Sequence, residues 1–262
     1  MEHFNYSFTH DVTETSDFIP TGSSRSASKV RRSASMPIVS SSNQLLADLP
    51  KDLFDKLQPS LRSVFLSADQ FLYMQDDRLD YVYFPETAVI SEFRTLDDGR
   101  MVEVTITGNE GAIGFLPLFC RTNVTNCTQV TQAGSAVRIE SEVLSRLLRL
   151  YPELSSALTP QVDQYVRQIS QRSVCNMYHS VKERLCTWLL LVQDRSGKKT
   201  MKLTHEQIAR ILGVYRPSVT CIALEMRKGN LIDYSRGGLS IRDRAKVEQS
   251  ACTCYNELAH AY

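Results

Sequence analysis

Long hydrophobic runs are scarce in this sequence of 262 residues, and so are clustered cysteines. The longest apolar run, around 188–192, is far shorter than the roughly 20 residues that a membrane-spanning helix needs. The N-terminus shows no charged stretch followed by an apolar one, so no secretory signal is predicted. The seven cysteines are scattered between positions 120 and 254, which suits a reducing compartment better than a disulfide framework. We expect a cytoplasmic protein without a membrane segment.

Net charge is also nearly absent, at +1, but the charges are unevenly distributed. Residues 44–150 hold 10 Lys and Arg against 15 Asp and Glu, whereas residues 201–246 hold nine basic against four acidic residues. A basic segment behind an acidic body favours a polyanionic partner for the C-terminal part. A solvated charged face without such a partner is the alternative.

Groupings typical of an enzyme or a metal site are missing as well. The five histidines are scattered, and no nucleophilic serine motif occurs. Cys252 and Cys254 are the only close cysteine pair, and two ligands alone make no zinc or iron–sulfur site. Cys175 and Cys186 lie in apolar helical surroundings and are interpreted as core residues. We predict neither catalysis nor a metal site nor a required cofactor.

Two segments of different character fill the N-terminal half. Residues 1–43 are rich in Ser and Thr and have few periodic apolar positions, which predicts a disordered arm. Further on, short segments rich in β-branched and aromatic residues (82–85, 89–93 and 101–107) alternate with turn signals. This pattern predicts a β sandwich or roll with flanking helices.

A long helix is predicted next, beginning with Thr159 as N-cap and Pro160 in the first turn, and running to about Met177. It carries a narrow stripe of spacing four, three and four, formed by Val162, Val166, Ile169 and Ser173. Such a stripe fits either an internal core helix or half of a two-stranded coiled coil. From the residues alone the internal interpretation is favoured, because the stripe spans only about two heptads.

Two capping boxes introduce the C-terminal helices: Ser180 with Glu183, and Thr204 with Gln207. After the second, Ala209, Gly213 and Val219 have the spacing that two helices need to cross at a tight turn. The small Ala209 permits close approach, and Gly213 can adopt the left-handed conformation of the turn. The pattern predicts a helix-turn-helix.

Pro217 lies in the first turn of the second of these helices, where its missing N–H needs no intrahelical partner. The N-terminal end of such a helix enters the major groove, and Arg216 can donate to a guanine edge. Two short strands around a glycine turn follow and predict a wing, with Arg236 at its tip facing phosphate.

Several segments now resemble the Crp/Fnr family of bacterial transcription regulators, over about residues 44–250. They are VYFP (82–85), DG (98–99), EV (103–104), GNEGAIG (108–114), HSV (179–181), LCTWLL (185–190), LTHEQIARILGV with RPSVT (203–220) and LIDYSRGGLSI (231–241). The resemblance implies an α+β chain with an N-terminal cyclic-nucleotide-binding-like β roll, a long dimerisation helix and a C-terminal winged helix-turn-helix. It also favours the coiled-coil interpretation of residues 160–177. The predicted units are the arm (1–43), the roll with its flanking helices (44–150), the dimerisation helix (151–178), the DNA-binding domain (179–250) and a C-terminal tail (251–262).

The resemblance implies as partners double-stranded DNA, a second copy of the chain and RNA polymerase. The predicted DNA-binding residues are Thr204, His205, Tyr215, Arg216, Ser218, Thr220 and Arg236. Many family members have an Arg-Glu pair at the start of the recognition helix and another Arg five residues after the first. Here these positions read Arg216, Pro217 and Cys221, so two base contacts are missing and the operator should differ from the family consensus.

Effector binding is the other property that the resemblance raises. A cyclic phosphate needs a glycine-rich turn with a Glu for ribose and an Arg followed by a hydroxyl residue, for which Glu110, Arg121 and Thr122 are the candidates. The sequence after Thr122 does not match the expected strand, so the roll is predicted to be degenerate for cyclic nucleotides.

Two other functions stay open beside the predicted homodimeric regulator of palindromic operators. A ligand-sensing module without sequence readout is suggested by Pro217 and Cys221. A thiol sensor would use Cys120, Cys127 or the pair Cys252 and Cys254.

Overall fold

The computed structural model describes residues 40–235 and 238–259. The chain starts there with two short helices, α1 (Gln44–Ala47) and α2 (Lys51–Leu57). Asn43, which the sequence places in the disordered arm, is instead fully buried and caps α1. Its amide nitrogen donates to the carbonyl oxygens of Pro85 and Gly111 at 2.8 and 2.9 Å. Asn43 is thus fixed to the roll, while residues 1–39 of the predicted arm lie outside the described residues.

Seven strands form the β roll among the described residues. They are β1 (Arg62–Leu66), β2 (Phe71–Tyr73), β3 (Tyr81–Pro85), β4 (Val89–Thr95), β5 (Met101–Thr107), β6 (Cys127–Gln132) and β7 (Gly134–Glu140). They pair antiparallel in two sheets, with strand orders β1-β7-β3 and β2-β6-β4-β5. The three strand segments predicted from β-branched and aromatic residues are β3, β4 and β5. The predicted roll is confirmed.

A short helix, α3 (Phe115–Cys120), lies between β5 and β6, and three helices follow the roll. These are α4 (Ser141–Leu150), α5 (Pro152–Leu158) and α6 (Pro160–Tyr178). Thr159 does not cap α6 as predicted: it has helical φ and ψ angles, and its hydroxyl donates to the Ser155 carbonyl at 2.9 Å. It therefore ends α5, so the chain passes almost directly from α5 to α6.

The C-terminal part begins with α7 (Val181–Ser196), α8 (His205–Leu212) and α9 (Arg216–Lys228). Both predicted capping boxes are present, at Ser180 and Thr204. The wing strands β9 (Ile232–Ser235) and β10 (Gly238–Ile241) are joined by β8 (Thr200–Met201), which the sequence did not reveal, in the order β8-β10-β9. The predicted tail also contains a helix: α10 (Arg244–Ser250) is followed by α11 (Cys254–Ala259).

Two large hydrophobic clusters hold these elements together. One lies inside the roll and extends to α4 and α5 through Leu144, Leu154 and Leu158. The other joins the sheet β2-β6-β4-β5, called the outer sheet of the roll below, to the C-terminal helices. It contains Phe93 and Ile106 of this sheet together with residues of α7, α8 and α9. The only tryptophan of the chain, Trp188, is fully buried in this second cluster. None of the described helices is both long and apolar enough to cross a membrane.

Candidate DNA-binding surface and its contacts with the roll

The crossing of α8 and α9 is built from the three residues that the sequence singled out. Ala209 and Val219 are buried at 4% and 0% exposure, so the two helices meet closely. Gly213 has a φ of 63°, the left-handed conformation that a side chain disfavours, and the Val214 N–H donates to the Ala209 carbonyl at 3.0 Å. The turn between the helices is thereby fixed, and the exposed end of α9 has a defined direction.

Pro217 is the second residue of α9 and does not interrupt it. Tyr215, in extended conformation, precedes the helix, and the Ser218 N–H donates to the Tyr215 carbonyl at 3.0 Å. Because the first N–H groups of a helix lack intrahelical acceptors, a proline at this place costs no hydrogen bond.

The N-terminal end of α9 presents an exposed polar surface. Tyr215, Arg216 and Ser218 are exposed there, as are Pro217 and Cys221, and Thr204 is exposed at the beginning of α8. The Arg216 side chain has neither a hydrogen-bond nor an ion-pair partner among the described residues, so its five donors are available to another molecule.

His205 and Thr220 are more tightly held than the other predicted DNA-binding residues. His205 Nδ1 lies 3.0 Å from Thr220 Oγ1, and that hydroxyl also donates to the Arg216 carbonyl at 3.2 Å. The His205 ring packs on Tyr234 of β9, with ring centroids 4.8 Å apart. These contacts link both helices to the wing. Arg236, the predicted tip of the wing, lies outside the described residues, and its role stays a prediction.

The helix-turn-helix also packs on the outer sheet of the roll. A Cβ added to Gly213 would lie 3.0 Å from Val102 Cγ2 on β5. The Arg210 guanidinium of α8 lies 5.6 Å from the centroid of the Phe93 ring on β4. The turn of the helix-turn-helix is therefore in contact with the β4–β5 hairpin.

Two buried carboxylates of the roll are bound by residues of the helices that follow it. Glu103 on β5 forms an ion pair with Arg172 of α6, and its two oxygens accept from Trp188 Nε1 of α7 at 3.0 and 3.1 Å. Ser91 Oγ donates to Glu103 Oε2 at 2.6 Å. Burial lowers the pKa of Arg172 to about 10, far enough above neutral pH for the guanidinium to stay charged.

Glu110, predicted to bind an effector, is the second of these carboxylates. It is only 4% exposed, and its Oε1 lies 2.8 Å from Arg195 Nε of α7. Its Oε2 accepts from the Gly108 N–H at 2.9 Å, and Arg195 Nη1 donates to the Ile106 carbonyl at 2.8 Å. The buried carboxylate is thus paired with Arg195 of α7 and with the backbone of its own turn, and it is not exposed to an effector.

The other two effector candidates lie on the surface of the roll. Arg121 and Thr122 are exposed after the end of α3, with Arg121 in the left-handed conformation (φ 54°). A cavity of about 310 Å³ does lie between the roll and α6, lined by Glu92 and Asn126 of the roll and by Tyr165 and Ile169 of α6, among others. None of the three predicted effector residues is part of its lining. Sequence reasoning missed this set, because its polar members come from three separate segments.

Cys252 and Cys254, which the sequence shows as a pair of two ligands, are joined in the structure by two further residues of the same kind. The fold brings Cys175 and His179 of the α6 end to this pair, and the four side chains form one group. The spacing of Cys175 and His179, four residues apart at the end of a predicted helix, is a signal that the sequence offered.

Comparison with known proteins agrees with this architecture. Residues 183–250 match the Crp-like helix-turn-helix domain. The global nitrogen regulator of Synechocystis sp. is 21% identical, over 78% of this chain and 94% of that protein.

Two solved structures are similar over most of their length. FixK2 from Bradyrhizobium japonicum has a TM-score of 0.62 at 15% identity and covers 74% of this chain and 98% of its own. A transcriptional regulator of the Crp/Fnr family from Eubacterium rectale also has a TM-score of 0.62 at 15% identity, covering 79% and 96%. The predicted resemblance is confirmed for the domain and the fold: residues 183–250 form a Crp-like helix-turn-helix domain, and the chain shares the fold of these Crp/Fnr-type proteins.

Proposed function

We propose that the protein is a cytoplasmic regulator that binds palindromic operators as a homodimer and reads each half-site mainly through Arg216. The observation that carries this proposal is the unpartnered, exposed guanidinium at the N-terminal end of α9, on a fixed helix crossing. A guanidinium in this place donates two hydrogen bonds to the O6 and N7 atoms of a guanine. Ser218 and Tyr215 lie beside it and can donate to phosphate oxygens.

Dimerisation through α6 is the second part of the proposal. The exposed side of α6 carries Val166, Val174, Met177 and Tyr178, which are 54%, 46%, 75% and 76% exposed. The stripe predicted from the sequence coincides only in part with this exposed side. Val162 packs on the core of the roll and Ile169 lines the cavity. Val166 and Ser173, the other two members of the stripe, are exposed. Exposed apolar side chains along one side of a helix are what a two-helix interface buries.

A homodimer with one reader helix per protomer binds half-sites whose centres lie about 34 Å apart. Selection from random duplexes should therefore return a palindrome, and Arg216→Ala should relax discrimination at one base pair of each half-site by about 1–3 kcal/mol. Arg227→Ala is the matched control, because Arg227 carries the same charge on the exposed C-terminal end of the same helix. Recovery of no palindrome, or equal loss of discrimination in both variants, would contradict the proposal.

A response to a small molecule is a second candidate function, and the cavity beside α6 favours it. Burial raises the pKa of Glu92 above its usual value. Thr105 Oγ1 donates to Glu92 Oε2 at 2.8 Å, and the Tyr165 side chain also forms a hydrogen bond with this carboxyl group. The arginine of the lining, Arg94, donates to the Thr125 carbonyl at 2.9 Å. Such a lining suits a ligand with hydrogen-bonding and apolar parts rather than a cyclic phosphate. Ligand screening by thermal shift, with Glu92→Ala as the insensitive variant, tests this function.

A further inference from the structure

Four metal-ligating side chains converge at the C-terminal end of α6. Cys175 lies in the last turn of this helix and His179 directly follows it, so that the two side chains lie on one face. Cys252 lies between α10 and α11, and Cys254 is the first residue of α11. The three sulfur atoms and one ring nitrogen of His179 all lie within 4.8 Å of one another.

Two distances within this group are close to those between ligands of one ion. Cys175 Sγ lies 3.5 Å from Cys252 Sγ, and Cys254 Sγ lies 3.4 Å from His179 Nδ1. A tetrahedral zinc ion with Zn–S of about 2.3 Å and Zn–N of about 2.0 Å separates its ligand atoms by roughly 3.5–3.8 Å. A disulfide needs about 2.0 Å between its sulfur atoms, and the cysteines of this chain are free.

The surroundings of the sulfur atoms supply hydrogen-bond donors. Gln171 Nε2 donates to Cys254 Sγ at 3.0 Å. Thr187 Oγ1 lies 3.0 Å from Cys252 Sγ and accepts the Cys252 N–H at 3.2 Å, which leaves its hydroxyl hydrogen for the sulfur. Donors of this kind orient and stabilise metal-bound thiolates. A hydrophobic group that only filled a core would not need them.

We infer that Cys175, His179, Cys252 and Cys254 form a closed, structural Zn²⁺ site of the Cys₃His type. Three thiolates and one imidazole are a ligand set that zinc takes in structural sites, where no open coordination position is left for catalysis. The three cysteines are 1–4% exposed, so the site is also closed to solvent on its sulfur side. A two-iron cluster fits less well, because it divides its ligands between two metal ions and needs a wider cage.

The site connects segments that are distant in sequence. His179 is one of only two residues between α6 and α7, and Cys252 and Cys254 lie beyond α10 at the far end of the DNA-binding domain. One ion therefore joins the end of α6 to both the beginning and the end of that domain. It fixes the direction in which the domain leaves α6, and it holds α11 against α6 and α7.

Cobalt is the probe for this site, because tetrahedral Co²⁺ bound to thiolates absorbs visible light strongly. The full-length chain, purified under reducing conditions and stripped with a chelator, should bind one Co²⁺ per chain, with thiolate charge-transfer bands that Zn²⁺ abolishes. Cys252→Ser and Cys254→Ser should lose these bands, whereas Cys120→Ser and Cys221→Ser, at exposed cysteines elsewhere, should keep them. His179→Cys keeps four ligands and should still bind Co²⁺, whereas His179→Ala removes one ligand and should lose Co²⁺ binding.

Two further measurements keep the test independent of variants that fail to fold. Gln171→Ala leaves all four ligands in place and should weaken Zn²⁺ binding by about 10-fold or more. Chelation of the wild-type protein should lower its melting temperature, and added Zn²⁺ should restore it. Wild-type protein without a cobalt spectrum, a spectrum unchanged by both Cys252→Ser and Cys254→Ser, or the recovery of iron with acid-labile sulfide would overturn the inference. None of these readouts depends on DNA binding, so the proposed function stands or falls separately.

Discussion

The ion pair between Glu103 and Arg172 should contribute strongly to stability, in a way that a double-mutant cycle can measure. Arg172→Met leaves the Glu103 carboxylate, whose side chain is fully buried, without its counter-charge. Breaking a buried pair in this manner costs about 3–5 kcal/mol. We expect the lower end, about 3 kcal/mol, because Trp188 and Ser91 still donate to the carboxylate. Glu103→Gln should cost less, about 2 kcal/mol, since the Arg172 side chain is 11% exposed and can reach water.

The double variant should then cost about 2 kcal/mol rather than about 5, because it leaves no uncompensated charge. Urea unfolding followed by the fluorescence of Trp188, the only tryptophan, reports on this site directly; the protein concentration must be fixed because a dimer is expected. Arg167→Met on the same helix is the control, since its pair with Asp163 is exposed to solvent and should contribute far less to stability. Additive costs in the double variant would refute the reasoning.

Three further perturbations test other parts of the structure. Gly197→Ala should cost about 1–2 kcal/mol, because this glycine has a positive φ, and Gly213→Ala should cost more. Both glycines have a positive φ, but only a Cβ at position 213 would contact Val102. Adding Val102→Ala should therefore remove the difference between the two variants in urea unfolding. Since burial raises the pKa of Glu92, the stability it contributes is complete below its ordinary value of 4.5 and is lost as the pH rises through the raised value. Glu92→Gln should therefore be more stable than the wild type at pH 7 and lose this advantage toward pH 4, whereas an advantage independent of pH would contradict the assigned cause. Met177→Glu should weaken dimerisation by at least about 10-fold in sedimentation equilibrium, because it places like charges in the proposed interface, while Met74→Glu, at an exposed methionine of the roll, should not.

The helix-turn-helix could be predicted from the sequence because its signals are local. The capping boxes at Ser180 and Thr204, the left-handed Gly213 and the first-turn Pro217 each act within a few residues, so their sequence spacing determines their structure. The strands of the roll were predictable for the same reason. Thr159 was misread because a threonine before a proline is typical of an N-cap, whereas α5 already provides the helical conformation at that residue.

Contacts between distant segments could not be predicted in this way. Glu110 seemed suited to a ligand because its glycine-rich turn matches a local motif, yet its partner Arg195 is 85 residues away in sequence and belongs to another domain. The group around Cys175 depends on the position of α11, which packs against α6 and α7. Neither the cavity beside α6 nor the pair of Glu103 with Arg172 has a sequence spacing that would reveal it.

The shared cluster between the outer sheet of the roll and α7 limits how this protein can be divided or recombined. A cut before residue 179 separates Trp188 from Glu103 and Arg195 from Glu110, and it exposes the apolar side chains of α7 that pack on Phe93 and Ile106. A chimera that exchanges DNA-binding domains at this boundary therefore combines two surfaces selected in different molecules. Engineering a new operator specificity should instead leave α7 with its own roll and replace only the residues on the exposed face of α9.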